Sequence, residues 1–249
     1  MTSGTYPWVY RGQTENGEPI FQHATITSVI HVASNTDYGN NSGTTLNSNT
    51  SSPYTYCFAP GTQIMTPGGE ISVESLTAGS LVTTLDGRQV PVLWIGRQTF
   101  ALRFQRDTCH LVRFRAGSLG DCLPHSDLTV TGDHGMVLDE LVINASALVN
   151  DTTITTVPHS ELPARLTVYH VETKAHDVIL ANGAAAETFI DGVTRQAFDN
   201  YAEYETLYGA ERVIPETTMQ RIGAQRLLPD HLHTRLGIAQ TGTSIQDVA

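Results

Sequence analysis

Positive charge is scarce in this chain. Lys174 is the one lysine among 14 basic residues, against 25 acidic ones, for a formal net charge of -11. No run of Lys or Arg offsets that balance, so nucleic-acid binding is not expected. No stretch is long and apolar enough to span a bilayer, so no transmembrane segment is expected. The first residues lack the charged-then-apolar layout of a secretory signal. Export by another route stays open, and the sequence leaves the compartment unset. Cysteine is also sparse: Cys57, Cys109 and Cys122. An odd count without a Cys-x-x-Cys pair argues against a disulfide scaffold and a zinc ribbon, and leaves at least one thiol free. Cys109 and Cys122 are expected in the core, with a disulfide between them open in an oxidising compartment. No cofactor is called for.

What is present supports a folded body. Hydrophobic residues make up 40% and charged residues 16% of the 249, enough apolar content for a packed core. Composition divides the chain into three regions. Residues 1–56 are polar, with an imperfect strand alternation through Ile26–Ala33 and a Ser/Thr/Asn/Gly-rich stretch at 34–55 that reads as linker. Residues 57–192 read as all-β, with short strands at Gln63–Thr66, Ile71–Val73, Leu81–Leu85, Val90–Ile95, Leu111–Arg115, Leu128–Thr131, Gly135–Leu138, Leu141–Ile143, Leu166–Thr173 and Val178–Ala181. Asp86-Gly87 predicts a type I′ hairpin turn, and Asn182-Gly183 is a second tight-turn signal. A short helix is expected at Ala145–Val149. Residues 193–249 predict a helical appendage: Phe198, Tyr201, Tyr204, Leu207 and Tyr208 form a helical stripe closed by Gly209, and Pro215–Leu228 is expected as a second helix.

Three segments hold side chains capable of chemistry. Cys57 stands where the polar linker meets the first strand of the β body, in Cys57-Phe58-Ala59-Pro60-Gly61-Thr62. Thr131-Gly132-Asp133-His134 ends a strand and can aim a hydroxyl and an imidazole at one point. Histidine suits proton transfer near neutrality. His170 and then His176-Asp177 flank the start of a late apolar strand. Taken singly, each has an ordinary structural explanation: a small buried hydrophobe for the cysteine, a turn or packing role for the histidines.

Taken together they resemble the Hint superfamily of inteins, hedgehog autoprocessing domains and bacterial intein-like domains. CFAPGTQIMTPGGEISVESLTAGSLVTTLDG is similar to the family's first block, LTVTGDHGMVL to the block with the Thr-x-x-His motif, and YHVETKAHDVILANG to the block near the domain's end. The resemblance covers about residues 57–190 and is nearest to bacterial forms without a His-Asn ending. It implies an all-β, horseshoe-shaped fold with pseudo-twofold symmetry. It also implies that Cys57 is a nucleophile acting on its own Tyr56–Cys57 bond, while Thr131 and His134 bind and polarise that amide. His170 stands where many inteins carry an Asp, and either assists the thiol or fills space. His176 matches a family position but lacks its usual Asn partner, and Asp177 is a candidate to orient a histidine or activate water. Glu187-Thr188 occupies the place of the His-Asn that inteins use to cut the downstream bond, so full splicing is not expected.

The function this implies is autocatalytic cleavage by an N-to-S acyl shift. The N-terminal segment is its own substrate, water or a small nucleophile is the acceptor, and there is one turnover. A catalytically idle Hint-fold binding or adhesive module is the main alternative. A cysteine hydrolase acting in trans, and a metal site built from Cys57, His134 and His170 or His176, are further readings.

Overall fold

The computed structural model describes residues 56–102, 110–189, 195–210, 212–215 and 217–239, together with the backbone of three strands nearer the N-terminus. The chain divides into two compact units, 1–53 and 54–249. In the first, β1 (Trp8–Gln13), β2 (Pro19–His23) and β3 (Ile30–Val32) form an antiparallel sheet in that order. β3 lies within the expected strand 26–33. The remainder of that range and the linker at 34–55 lie outside the described residues.

The second unit is built of short strands. β4 (Gln63–Thr66) pairs with β5 (Gly69–Ser72), and β6 (Leu81–Thr83) with β7 (Gln89–Pro91). Then come β8 (Trp94–Phe100), β9 (Leu111–Phe114), β10 (Leu128–Thr131), β11 (Gly135–Leu138), β12 (Leu141–Asn144) and β13 (Ile154–Thr156). β14 (Leu166–Glu172), β15 (Val178–Ala181), β16 (Ala184–Glu187) and β17 (Gln220–Ile222) complete the set. The largest sheet runs β17-β12-β11-β16-β15-β4-β5, beside the smaller groups β10-β9-β13 and β14-β8. Alternation of inward and outward residues sets these registers, because a one-residue slip would turn the buried side chains to solvent.

The two tight-turn signals resolve differently. Asn182 and Gly183 both take positive φ, 47° and 79°, and join β15 to β16 with Ala181 paired to Ala184. This is the two-residue hairpin loop that such a dipeptide favours. At Asp86-Gly87 the expected type I′ turn does not form, since only Gly87 has positive φ, 83°. Thr84 N–H donates to Arg88 O at 2.9 Å, which leaves a three-residue loop. The Asp86 carboxylate is held there by the Thr84 hydroxyl and by Arg88 Nε at 2.7 Å. The helix expected at Ala145–Val149 is a single 3₁₀ turn, Ala145–Leu148.

Two buried clusters organise the body. One gathers Phe58, Ile64, Phe114, Leu128, Val130, Met136 and Ile143 with the C-terminal Ile222, Leu232 and Leu236. The other gathers Cys57, Trp94, Leu111, Phe189, Phe198, Tyr204 and Ile214. The C-terminal residues therefore enter both cores. Helix α1 (Tyr201–Tyr208) buries Tyr204 and ends at Gly209 in the left-handed conformation, φ 70°, as its stripe predicts. The helix expected over Pro215–Leu228 is absent. β17 forms there instead, because the exposed edge of β12 accepts it as a parallel neighbour, and a 3₁₀ turn, Gln225–Leu227, follows. Helix α2 (Asp230–Leu236), unforeseen, begins after Pro229 and stops at Gly237. Cys122, expected in the core, is exposed in a turn with φ 58°, and Cys109 lies outside the described residues.

A buried ion pair ties the C-terminal residues to β14. Arg195 Nε and Nη2 meet the Glu172 carboxylate at 2.8 and 3.1 Å, with the Arg195 guanidinium over the Phe189 and Tyr204 rings. Glu172 is 0% exposed, so removing it strands a desolvated cation. Glu172→Ala is expected to cost about 3–5 kcal/mol of unfolding free energy, read by urea denaturation.

Candidate functional site

The residues around Cys57 are held like a short strand inserted between two others. Phe58 bridges Val130 of β10 on one side and Tyr169 of β14 on the other. Phe58 N–H donates to Tyr169 O at 2.8 Å, and Tyr169 N–H returns a bond to Phe58 O at 2.9 Å. On the β10 side, Ala59 N–H reaches Thr129 O at 3.0 Å, and Thr131 N–H reaches Cys57 O at 2.9 Å. With Phe58 fixed by both neighbours, the peptide bond between Tyr56 and Cys57 falls beside Thr131 on one flank and His170 on the other.

The contacts to that bond divide between its two ends. The Cys57 N–H donates to Thr131 Oγ1 at 2.8 Å. The Tyr56 carbonyl oxygen accepts a short hydrogen bond from His170 Nδ1. A carbonyl oxygen has no proton to give, so Nδ1 of His170 carries the hydrogen and Nε2 is left with its lone pair. Nε2 is buried without a hydrogen-bond partner. Burial holds His170 well below its ordinary pKa.

His134 is fully buried, its ring 4.3 Å from that of Phe58, and neither ring nitrogen has a hydrogen-bond partner of ordinary geometry. Burial lowers its pKa to about 4, while the Glu187 charge and the nearby Tyr56 backbone act in the opposite direction. Both imidazoles at the bond are therefore neutral near pH 7. Cys57 itself is 0% exposed and belongs to the aromatic cluster with Phe189 and Phe198.

Behind His134 lies a buried anion. The Glu187 carboxylate accepts from Gly135 N–H at 2.7 Å, from His176 Nε2 at 3.0 Å and from Arg221 Nη2 at short range. Burial alone would raise its pKa, but the His176 hydrogen bond and the Arg221 charge prevail and bring it to about 2. A side chain at Gly135 would meet Glu187 Cδ at 2.5 Å, so glycine is what admits the carboxylate to that backbone N–H. His176 Nδ1 accepts from Thr217 N–H at 3.2 Å, which puts the ring proton on Nε2, facing Glu187.

Arg221 adds Asn144 Oδ1 at 3.0 Å and lies with its Cζ 5.4 Å from the centre of the Tyr56 ring. Asp133, next to His134 in sequence, is mostly buried, and desolvation raises its pKa to about 6 against the pull of Arg221 and His110.

The six residues singled out from the sequence thus separate into three positions. Cys57, Thr131, His134 and His170 surround one peptide bond. His176 stands one step back, reaching the site through Glu187. Asp177 faces elsewhere: it pairs with Arg88 Nη2 at 2.8 Å, accepts from the Thr173 hydroxyl at 2.8 Å, and lines a cleft of about 460 Å³ with Thr84, Asp139 and Met219. Glu187 was visible in the sequence only as a departure from the family ending. Arg221 carried no signal, since it lies outside every motif and within a stretch expected to be helical. Among the described residues, no group of three His, Cys, Asp or Glu side chains is placed to hold a metal ion, and no helix is long and apolar enough to cross a membrane.

No curated protein matches the chain. Among solved structures, it is similar to a bacterial intein-like domain from Clostridium thermocellum, at 15% identity and a TM-score of 0.43 over 54% of this chain and 99% of that one. It is also similar to a DnaB intein from Synechocystis, at 12% identity and a TM-score of 0.37 over 54% of this chain and 99% of that one. The family model described as the Hint domain matches residues 56–193, more than half of the sequence. The chain belongs to the Hint domain family.

Proposed function

We propose that this Hint domain cleaves its own chain between Tyr56 and Cys57 by an N-to-S acyl shift, without splicing. The observation that carries the reading is the pair of contacts on one peptide bond: His170 Nδ1 on the Tyr56 carbonyl oxygen and Thr131 Oγ1 on the Cys57 N–H.

In the first step the Cys57 sulfur bonds to the Tyr56 carbonyl carbon and the carbon–nitrogen bond breaks. The thiol proton ends on the freed Cys57 amine, so the step needs no outside acid. Negative charge develops on the Tyr56 oxygen, where the His170 N–H already points. A donor fixed before the reaction costs no reorganisation when charge appears. The Thr131 bond orients the amide nitrogen, and the neutral His134 ring beside the Tyr56 backbone is suited to carry the proton from sulfur to nitrogen. In the second step water or a small thiol adds to the thioester carbonyl, the carbon–sulfur bond breaks, and sulfur regains a proton. Water releases residues 1–56 with a free carboxylate; a thiol releases them as a new thioester.

The complete burial of Cys57 favours one other reading, an idle Hint fold used for binding, because an acceptor must reach a residue enclosed in an apolar core. Intact mass separates the two. Dithiothreitol is expected to split the full-length chain after residue 56, and Cys57→Ala to stay whole. Wild-type protein whose mass ignores thiol would support the idle module. His170→Ala is expected to slow the thiol-induced break by about 100- to 1000-fold, the usual loss for one preorganised oxyanion donor, measured as fragment released over time.

The buried His134 also predicts a pH dependence of stability. Its folded pKa of about 4 lies below the ordinary 6.5, so the unfolded chain binds more protons between those values. Stability is therefore expected to fall as pH drops from 6.5 towards 4. In a Cys57→Ala chain, which excludes cleavage, adding His134→Gln should shrink that loss. Urea midpoints across the window check it. The Glu187 contribution disappears only at lower pH, as its carboxylate protonates between about 4.5 and about 2.

A further inference from the structure

The family match ends at residue 193, yet one side chain beyond it touches the residue before the proposed scissile bond. Arg221 is carried on β17, whose register against β12 places it opposite Val142. Its guanidinium is bound along its edges by Glu187 and by Asn144 Oδ1 at 3.0 Å. An arginine held by its edges in this way keeps its flat face for stacking on an aromatic ring. Here it is only partly exposed, 30% of the side chain, and lies 5.4 Å from the centre of the Tyr56 ring. Tyr56 supplies the acyl group of the bond that breaks, and its ring is the part of that group that could distinguish one upstream residue from another.

We propose that Arg221 reads the side chain at position 56 and makes the site selective for an aromatic residue ahead of the cleaved bond. This rests on the self-cleavage reading. The recognition is electrostatic, between a cation and the negative face of a π system. It is also directional, because the edge contacts leave the guanidinium little freedom to turn. The C-terminal residues therefore complete the substrate-binding side of the site as well as packing against its cores.

The test uses the full-length chain with Tyr56→Trp, Tyr56→Phe and Tyr56→Leu, each treated with dithiothreitol. Cleavage is expected to rank the three aromatic residues above leucine by about 2- to 30-fold, the range spanned by cation–π contacts. Combining each change with Arg221→Met should erase most of that ranking. A leucine chain that cleaves as fast as wild type, or a ranking that survives Arg221→Met, overturns the proposal.

Arg221→Met also removes a partner of Glu187 and can impair folding. The same two positions are therefore compared in a Cys57→Ala background by urea denaturation. A non-additive effect of Tyr56→Leu and Arg221→Met supports recognition, and additive effects overturn it. Wild-type protein that never cleaves would sink the self-scission reading and the selectivity with it, while this second cycle would still decide whether the two side chains recognise each other.

Discussion

Everything at the site depends on the insertion of residues 57–59 between β10 and β14. A peptide bond that no neighbouring strand holds has no fixed relation to any catalytic group. Here the four main-chain bonds of Cys57, Phe58 and Ala59 to Thr131, Tyr169 and Thr129 take up that freedom. Each such bond contributes little net stability. Their value is positional: with Phe58 clamped from both sides, the Tyr56–Cys57 bond lies between the Thr131 hydroxyl and the His170 ring. The clamp is itself braced by packing, since Phe58 and Val130 are fully buried in one core and Cys57 in the other.

Buried charge is the second constraint. An isolated carboxylate in an apolar interior is very costly, and nature retains one where partners surround it. Glu187 and Glu172 are both 0% exposed, and each is met by an arginine from beyond residue 193. The C-terminal residues are thus held to the Hint body by opposite charge as well as by Phe198, Tyr204, Leu232 and Leu236. Glu187 links the two ends of this arrangement. Through the Gly135 N–H it adjoins His134, and through Arg221 it adjoins Tyr56.

The parts of this structure that were legible in the sequence are those specified locally. β4, β10, β11 and β15 follow the predicted ranges because short apolar runs bounded by turn residues encode them. Asn182-Gly183 and Gly209 act as their chemistry dictates, since positive φ at those positions depends on the residue itself. Asp86-Gly87 went another way because the Thr84 hydroxyl and Arg88 side chain engage Asp86 and select a longer loop. The sequence of residues 215–228 suggests helix rather than β17 because pairing with β12 is a tertiary event that these residues do not advertise. The same limit applies to the site. Cys57, Thr131, His134 and His170 belong to recognisable blocks. Arg221 reaches them from 164 positions after Cys57 by sequence number, and only the parallel register of β17 brings it there.

Glu187-Thr188 shows how these constraints bear on the proposed chemistry. By the resemblance of the late block to inteins, this place corresponds to their His-Asn, whose asparagine amide attacks its own carbonyl to cut the downstream bond. Thr188 has no amide nitrogen to do so, and its hydroxyl is engaged with Asp177, accepting from the N–H at 3.0 Å and donating to the carbonyl at 3.0 Å. Glu187, in place of the histidine, is ionised and cannot donate a proton. It instead holds His176 and Arg221. Under the proposed reading, the late block keeps its place in the fold but exchanges a cutting role for a holding one. It supports the guanidinium at Tyr56 and contributes negative charge beside His134. In the proposed mechanism that charge would favour an imidazolium formed in passing as a proton moves from sulfur to nitrogen. An anion there would be of less use to asparagine cyclisation, which builds negative charge on a carbonyl oxygen. Under the proposed reading, Glu187 at this place suits a site arranged around one bond, the upstream one.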